Sequence, residues 1–151
     1  MNYSAIKVLF VSGLDTTFAQ VAECLFNDKA VGYGLSHRAI SAGIMAVDGN
    51  ELPFPVLKAL WLRGVETENV LSRAYTDDLF KSADIVIALN KQLKFSLPKS
   101  DKIFTLGELL GLDELKLHQS DEIGYYLDVC TDMDKYITKL LEKFKNKENT
   151  L

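Results

Sequence analysis

Residues 5–23 read AIKVLFVSGLDTTFAQVAE, and their reading decides the fold. The run Ile6 to Val11 is apolar and rich in β-branched and aromatic residues, which predicts a buried strand. Ser12 to Thr17 follow, short and mostly polar, with one glycine. Then Phe18, Val21, Ala22, Leu25 and Phe26 recur at i, i+3, i+4, i+7 and i+8, one face of a helix. Strand, tight loop and helix together make the form of a phosphate cradle. A helix N-terminus offers unpaired N–H groups and the positive end of the helix dipole. A plain βα turn of an α/β domain has the same shape, so the shape alone does not decide between them.

Working outward, Gly32 and Gly34 break the helical pattern, and residues 38–42, RAISA, read as a second strand ending at Gly43. A helix follows over PVLKALWLRGV, with Pro55 as first helical residue and Gly64 as its stop. Leu57, Leu60, Trp61 and Gly64 share one face, which places Trp61 in the core. Thr76 is an N-cap for a short helix with acids in its first turn. Ile85 to Leu89 form a third buried strand, residues 91–96 a brief helix or turn, and Lys102 to Leu106 a fourth strand. Glu108 to Leu112 suit a helical turn, and 113–122 a polar loop. The last helix runs from about Ile123 to Lys145, on a stripe of Tyr126, Cys130, Met133, Ile137, Leu140, Leu141 and Phe144. Strands alternating with helices imply a parallel sheet covered on both faces.

At 151 residues the chain reads as one domain, 1–151, large enough for a real core. Its net charge of −4 and lack of a basic block give no support to a nucleic-acid or anionic-membrane role. No apolar stretch approaches a bilayer span, and the N-terminus has no signal-peptide pattern. Cys24 and Cys130 lie far apart within amphipathic helix patterns, as buried thiols in a reducing cytoplasm would. Two His and two Cys, scattered, make no metal site, and no cofactor is implied.

The wider pattern resembles the low-molecular-weight protein tyrosine phosphatases. That family reads V-C-x-x-N-x-x-R-S-P and then x-A-E, where this chain has Val11-Ser12-Gly13-Leu14-Asp15-Thr16-Thr17-Phe18-Ala19-Gln20 and then Val21-Ala22-Glu23. The resemblance continues at Ser41-Ala42-Gly43, Gly49, Pro53, Gly64 and Val65, and again at Ser72-Arg73, Thr76 to Leu79 and Ala83-Asp84. It implies four parallel strands in the order 2-1-3-4, with the first loop at the switch point where α/β sheets bind ligands.

The same resemblance marks what is missing. The family's nucleophilic Cys falls on Ser12, its phosphate-clamping Arg on Phe18, its loop-bracing Asn on Asp15 and its Ser-Pro on Ala19-Gln20. Its general acid lies in D-P-Y-G, and Asp121 in Asp121-Glu122-Ile123-Gly124 is the candidate for that position. An ordinary helix-start carboxylate would account for Asp121 as well. A serine hydroxyl needs a base, and the loop holds no His or Lys. Phe18 has no donor, and losing one preorganised donor typically costs ~10²–10³ in rate. Asp15 adds repulsion, on the order of 4 kcal/mol per unit like charge at ~4 Å and an effective dielectric near 20.

Two functions are therefore expected. The first is a non-catalytic member, a pseudophosphatase with a binding or regulatory role. It would take a small anion or a protein partner at the loop of Ser12, Gly13, Leu14, Asp15, Thr16, Thr17 and Phe18. The alternative is an enzyme of altered or residual chemistry, with Asp15 or Asp121 as acid or base and the Thr16 and Thr17 hydroxyls orienting substrate. An arsenate reductase shares the fold but needs reactive thiols near the loop, where neither Cys24 nor Cys130 falls. A sugar-uptake phosphotransfer subunit would need a loop Cys.

Overall fold

The structure is a computed structural model and describes residues 5–13, 17–68 and 70–149, with side chains to residue 146. Four parallel strands form the sheet: β1 (Lys7–Ser12), β2 (Arg38–Gly43), β3 (Ile85–Ala88) and β4 (Ile103–Thr105), in the order β2-β1-β3-β4. β1 pairs with both β2 and β3, with Phe10 opposite Ser41 on one side and Ile87 on the other. The helices are α1 (Thr17–Gly32), α2 (Phe54–Leu62), α3 (Asp77–Ser82), α4 (Lys91–Ser96), α5 (Leu106–Leu110) and α6 (Ile123–Asn149). Among the described residues, no helix is long and apolar enough to cross a membrane.

Side chains on a strand alternate between faces, so β1 feeds two cores. Val8 and Phe10 join α1, α2 and α6 on one face. Leu9 and Val11 join Val86, Ala88, Leu93 and Leu97 on the other, with Leu79 and Phe80 of α3 packed against them. The stripe expected on the last helix is buried at every position from Tyr126 to Phe144. Phe26 of α1 sits edge-on between Phe10 and Phe144, with ring centroids 6.1 and 6.4 Å away. Thr76 caps α3, accepting from the Leu79 amide at 3.2 Å, with Asp77 and Asp78 in the first turn.

Three expectations are corrected. α2 starts one residue early, at Phe54, with Pro53 at the cap and Pro55 inside the first turn. Trp61 is not in the core but 51% exposed. α2 buries Val56, Ala59 and Leu60, and a helix turns about 100° per residue, which carries Trp61 off that stripe. Its indole Nε1 donates to Thr67 Oγ1 at 2.9 Å, and its ring stands edge-on to Phe54. α5 begins at Leu106 rather than Glu108, because Thr105 and Glu108 form a capping box and Gly111, at φ 69°, ends the helix in the left-handed region.

Phe26 touches both the sheet and α6, so Phe26→Ala should cost about 3–5 kcal/mol, as large core truncations do. Phe95, 86% exposed, serves as the control, with Phe95→Ala staying within about 0.5 kcal/mol. Urea unfolding followed by circular dichroism reads both.

Candidate functional site

β1 ends at Ser12, and the chain there is held from both sides. Ile44 N donates to Ser12 O at 3.0 Å and Met45 N to Gly13 O at 3.2 Å. On the other edge Leu89 N donates to Val11 O at 3.0 Å. Asn90 then caps α4 by accepting from Leu93 N at 2.9 Å. These carboxyl-edge segments enclose a cavity of about 460 Å³, lined by Ser12, Gly13, Phe18, Leu89, Asn90 and Leu93 on the sheet side. Its remaining wall is Leu115, Lys116, Leu117, His118 and Gln119. Leu14, Asp15 and Thr16 of the expected binding loop lie outside the described residues.

That wall is polar and irregular in sequence, and specific bonds fix it. Glu114 takes Thr105 Oγ1–H at 2.6 Å and Gly107 N–H at 3.1 Å, tying the segment to the start of α5. A Cβ on Gly107 would collide with the Glu114 carboxylate and the Leu112 carbonyl, so glycine is required there. α6 supplies three tyrosines along the segment. Tyr125 Oη accepts from His118 N, and Tyr126 Oη donates to Ser120 O, both at 2.8 Å. Tyr136 Oη donates to the Asp113 carbonyl. The His118 ring lies 4.2 Å from that of Tyr125, and its Nδ1 is 2.9 Å from Gln119 O. A carbonyl can only accept, so Nδ1 carries the hydrogen in this contact.

The loop residues divide. Ser12 and Thr17 are buried, and Phe18, 8% exposed, both lines the cavity and packs on Tyr126 at a centroid distance of 6.2 Å. Where the resemblance places an arginine, the chain has a core ring. Thr17 opens α1 but is not part of the described lining. Asp121 is exposed and outside the lining, because the segment reaches the cavity with Leu115 to Gln119 instead. Lys116 and His118 are thus the functional candidates that sequence reading missed. A segment without periodicity gives no signal of which side chains face inward.

The scaffold motifs form a brace beside the site. Buried Ser41 donates from Oγ to Glu23 Oε1 at 2.8 Å, and Arg73 Nη1 donates to Ser41 O at 3.2 Å. Ser72 Oγ accepts from Asn50 N at 2.8 Å and donates to Val47 O, fixing the loop after β2. Burial raises Glu23 above the ordinary carboxylate range, against the lowering by Ser41 and Arg73. Cys24 and Cys130 are free and buried, and neither lines the cavity. Burial pushes Cys24 up to about 12, helped by neighbouring Glu23, and Cys130 to about 11. Among the described residues no group of His, Cys, Asp and Glu could hold a metal ion.

Four similarities bear on this site. The family model for low molecular weight phosphotyrosine protein phosphatase matches residues 7–150. A protein-arginine-phosphatase of Bacillus subtilis strain 168 is 31% identical over 108 residues, 68% of this chain and 71% of that protein. The crystal structure of a low molecular weight protein tyrosine phosphatase from T. tengcongensis superposes with a TM-score of 0.86 at 28% identity, covering 91% of this chain and 99% of that one. A YwlE arginine phosphatase carrying a cysteine-to-serine mutation, with a phosphorylated active site serine, gives 0.83 at 26% identity, covering 93% and 96%.

Glu23 supplies a test of the brace. Its folded-state pKa is raised, so the folded chain holds this proton more firmly than the unfolded one. The resulting stability is fully present below the unfolded value of 4.5 and is lost as pH rises through the raised value. Glu23→Gln keeps an acceptor for Ser41 and removes the charge. Unfolding measured at pH 5 and pH 8 should show a smaller loss of stability toward pH 8 in the variant than in the parent.

Proposed function

The chain belongs to the low molecular weight phosphotyrosine protein phosphatase family, and from that premise we propose that it binds a small ligand at the old catalytic cavity without hydrolysing phosphate esters. The observation that carries this reading is Phe18, a buried ring at the position of the family's phosphate-clamping arginine. A guanidinium grips phosphate with two parallel charge-assisted bonds, and a phenyl ring offers none. Ser12 stands at the nucleophile position, and a hydroxyl needs a base where a thiolate does not. The two thiols the chain does possess are buried elsewhere and held protonated, so neither substitutes. The described wall brings no carboxylate to act as acid, and Asp121 lies outside it. The protein is then a pseudophosphatase: one domain over 1–151, cytoplasmic in keeping with its free thiols, with a binding or regulatory role.

A second reading rests on one observation. In the cysteine-to-serine YwlE mutant the active site serine is phosphorylated. Here Ser12 shares its cavity with His118, whose Nδ1 faces the Gln119 carbonyl. Its Nε2 is then the basic nitrogen. In this reading Ser12 Oγ forms a bond to phosphorus as the substrate's P–O or P–N bond breaks; the Ser12 proton passes by way of His118 to the departing dephosphorylated substrate, leaving a stable phosphoserine rather than a turnover cycle.

Full-length protein should show no turnover of p-nitrophenyl phosphate or phosphoarginine above buffer, and no phosphoryl increment in its intact mass after exposure to either. A mass gain without turnover that disappears in Ser12→Ala would establish the second reading, and turnover that disappears with it would overturn both. Restoring the loop by Ser12→Cys, Asp15→Asn and Phe18→Arg together should yield slow turnover. Phe18→Arg removes a core ring, so a stability loss of about 3–5 kcal/mol accompanies it, and the assay is run on protein shown to be folded. A folded triple variant that neither binds phosphate nor turns over would mean that the wall, and not only the loop, has left phosphate chemistry.

A further inference from the structure

α4 borders a second concavity, between its last turn and the start of β4. The inner part is Leu97 and Ile103, both buried, and the rim carries Lys94, Phe95, Pro98 and Lys99. Leu93, which lines the first cavity, and Phe95 are about 200° apart around the helix axis, so α4 stands between the two. The volume of about 270 Å³ is below the ~300–1,000 Å³ of small-molecule sites, which suits one large side chain rather than a whole ligand. Phe95 is 86% exposed, and no other large apolar side chain among the described residues is as open to water.

The charge here runs against that of the chain. From Lys91 to Lys102 there are four lysines and one acid, a net of +3, so the remainder carries −7 to give the overall −4. Lys102 is turned inward, donating to the carbonyls of Phe80 at 2.6 Å and Ala83 at 2.8 Å. Lys94 is paired with Glu108 at 2.8 Å. Lys91 and Lys99 are exposed and have no ion pair among the described residues. Lys91 precedes Phe95 by four residues, on the same helix face, and Lys99 lines the groove beyond it. Asp101 is not among the lining residues.

We propose that this groove docks an acidic segment of a partner protein, with one large apolar side chain seated on Leu97 and Ile103 against the Phe95 ring and carboxylates at Lys91 and Lys99. An aromatic anchor supplies affinity, while exposed lysines at the rim supply charge selection and steering. A lipid surface is disfavoured, because interfacial helices carry a long apolar face where α4 exposes one ring beside a concavity, and because the −7 of the remaining chain would be repelled by anionic headgroups. Docking here needs nothing from Ser12 or its loop, so it stands apart from either reading of the first cavity.

The test is an NMR titration of the full chain with the heptapeptide Glu-Asp-Gly-Phe-Gly-Asp-Glu, a version with alanine for its phenylalanine and a version with lysine for each acid. The first should shift the methyl resonances of Leu97 and Ile103, and each of the others should bind roughly tenfold more weakly. Phe95→Ala should weaken the first peptide roughly tenfold with the melting temperature unchanged. Lys99→Glu should weaken it about two- to fivefold, and Lys99→Arg should leave it as in the parent. A lysine peptide that binds as tightly as the acidic one would overturn the proposal. So would shifts centred on Ser12 and Gly13, or no shift at Leu97 and Ile103 with any peptide. Sedimentation of the parent, but not of Phe95→Ala, with phosphatidylserine vesicles would assign Phe95 to a lipid surface and overturn it as well.

Discussion

Val8, Leu9, Phe10 and Val11 lose essentially all contact with water, and the backbone between them is bonded to a neighbouring strand on each edge. A strand in that position cannot shift by one residue without exchanging its two cores, since Val8 and Phe10 face one and Leu9 and Val11 the other. Its end is therefore fixed, and with it the point where Ser12 and Gly13 emerge at the carboxyl edge of the sheet. The cavity, the loop after β2 and the start of α4 are all positioned by backbone bonds to Val11, Ser12 and Gly13.

Beside that fixed edge the family's scaffold motifs are held together by specific bonds. Ser41, Glu23, Arg73 and Ser72 still bind one another and the adjoining loop, as a supporting structure. Phe18, where the resemblance places an arginine, is buried and packs on Tyr126. The 113–122 wall, where the resemblance sought an acid, contributes Lys116 and His118.

Phe18 shows how tightly stability and function are joined here. A residue that serves a core and a cavity together cannot be exchanged for arginine without desolvating a charge or opening the packing. Its burial makes an exchange for arginine costly, independently of what stands at Ser12.

Periodicity sufficed for the four strands, the stripe of α6 and the inward face of α1, because burial on a regular element repeats at a period the sequence displays. Local chemistry sufficed for the Thr76 cap, whose partner lies three residues away. The motifs around Ser12, Ser41 and Ser72 sufficed for the family. The tertiary structure alone decided the rest. Trp61 is half exposed because α2 buries the face of Val56, Ala59 and Leu60 instead. Lys116 and His118 reach the cavity, and Asp121 does not, because Glu114 bonds to Thr105 and Gly107 and the tyrosines of α6 bond to the loop's backbone. Those partners lie up to 23 residues apart along the chain, and an irregular segment has no period to announce which of its side chains they will turn inward.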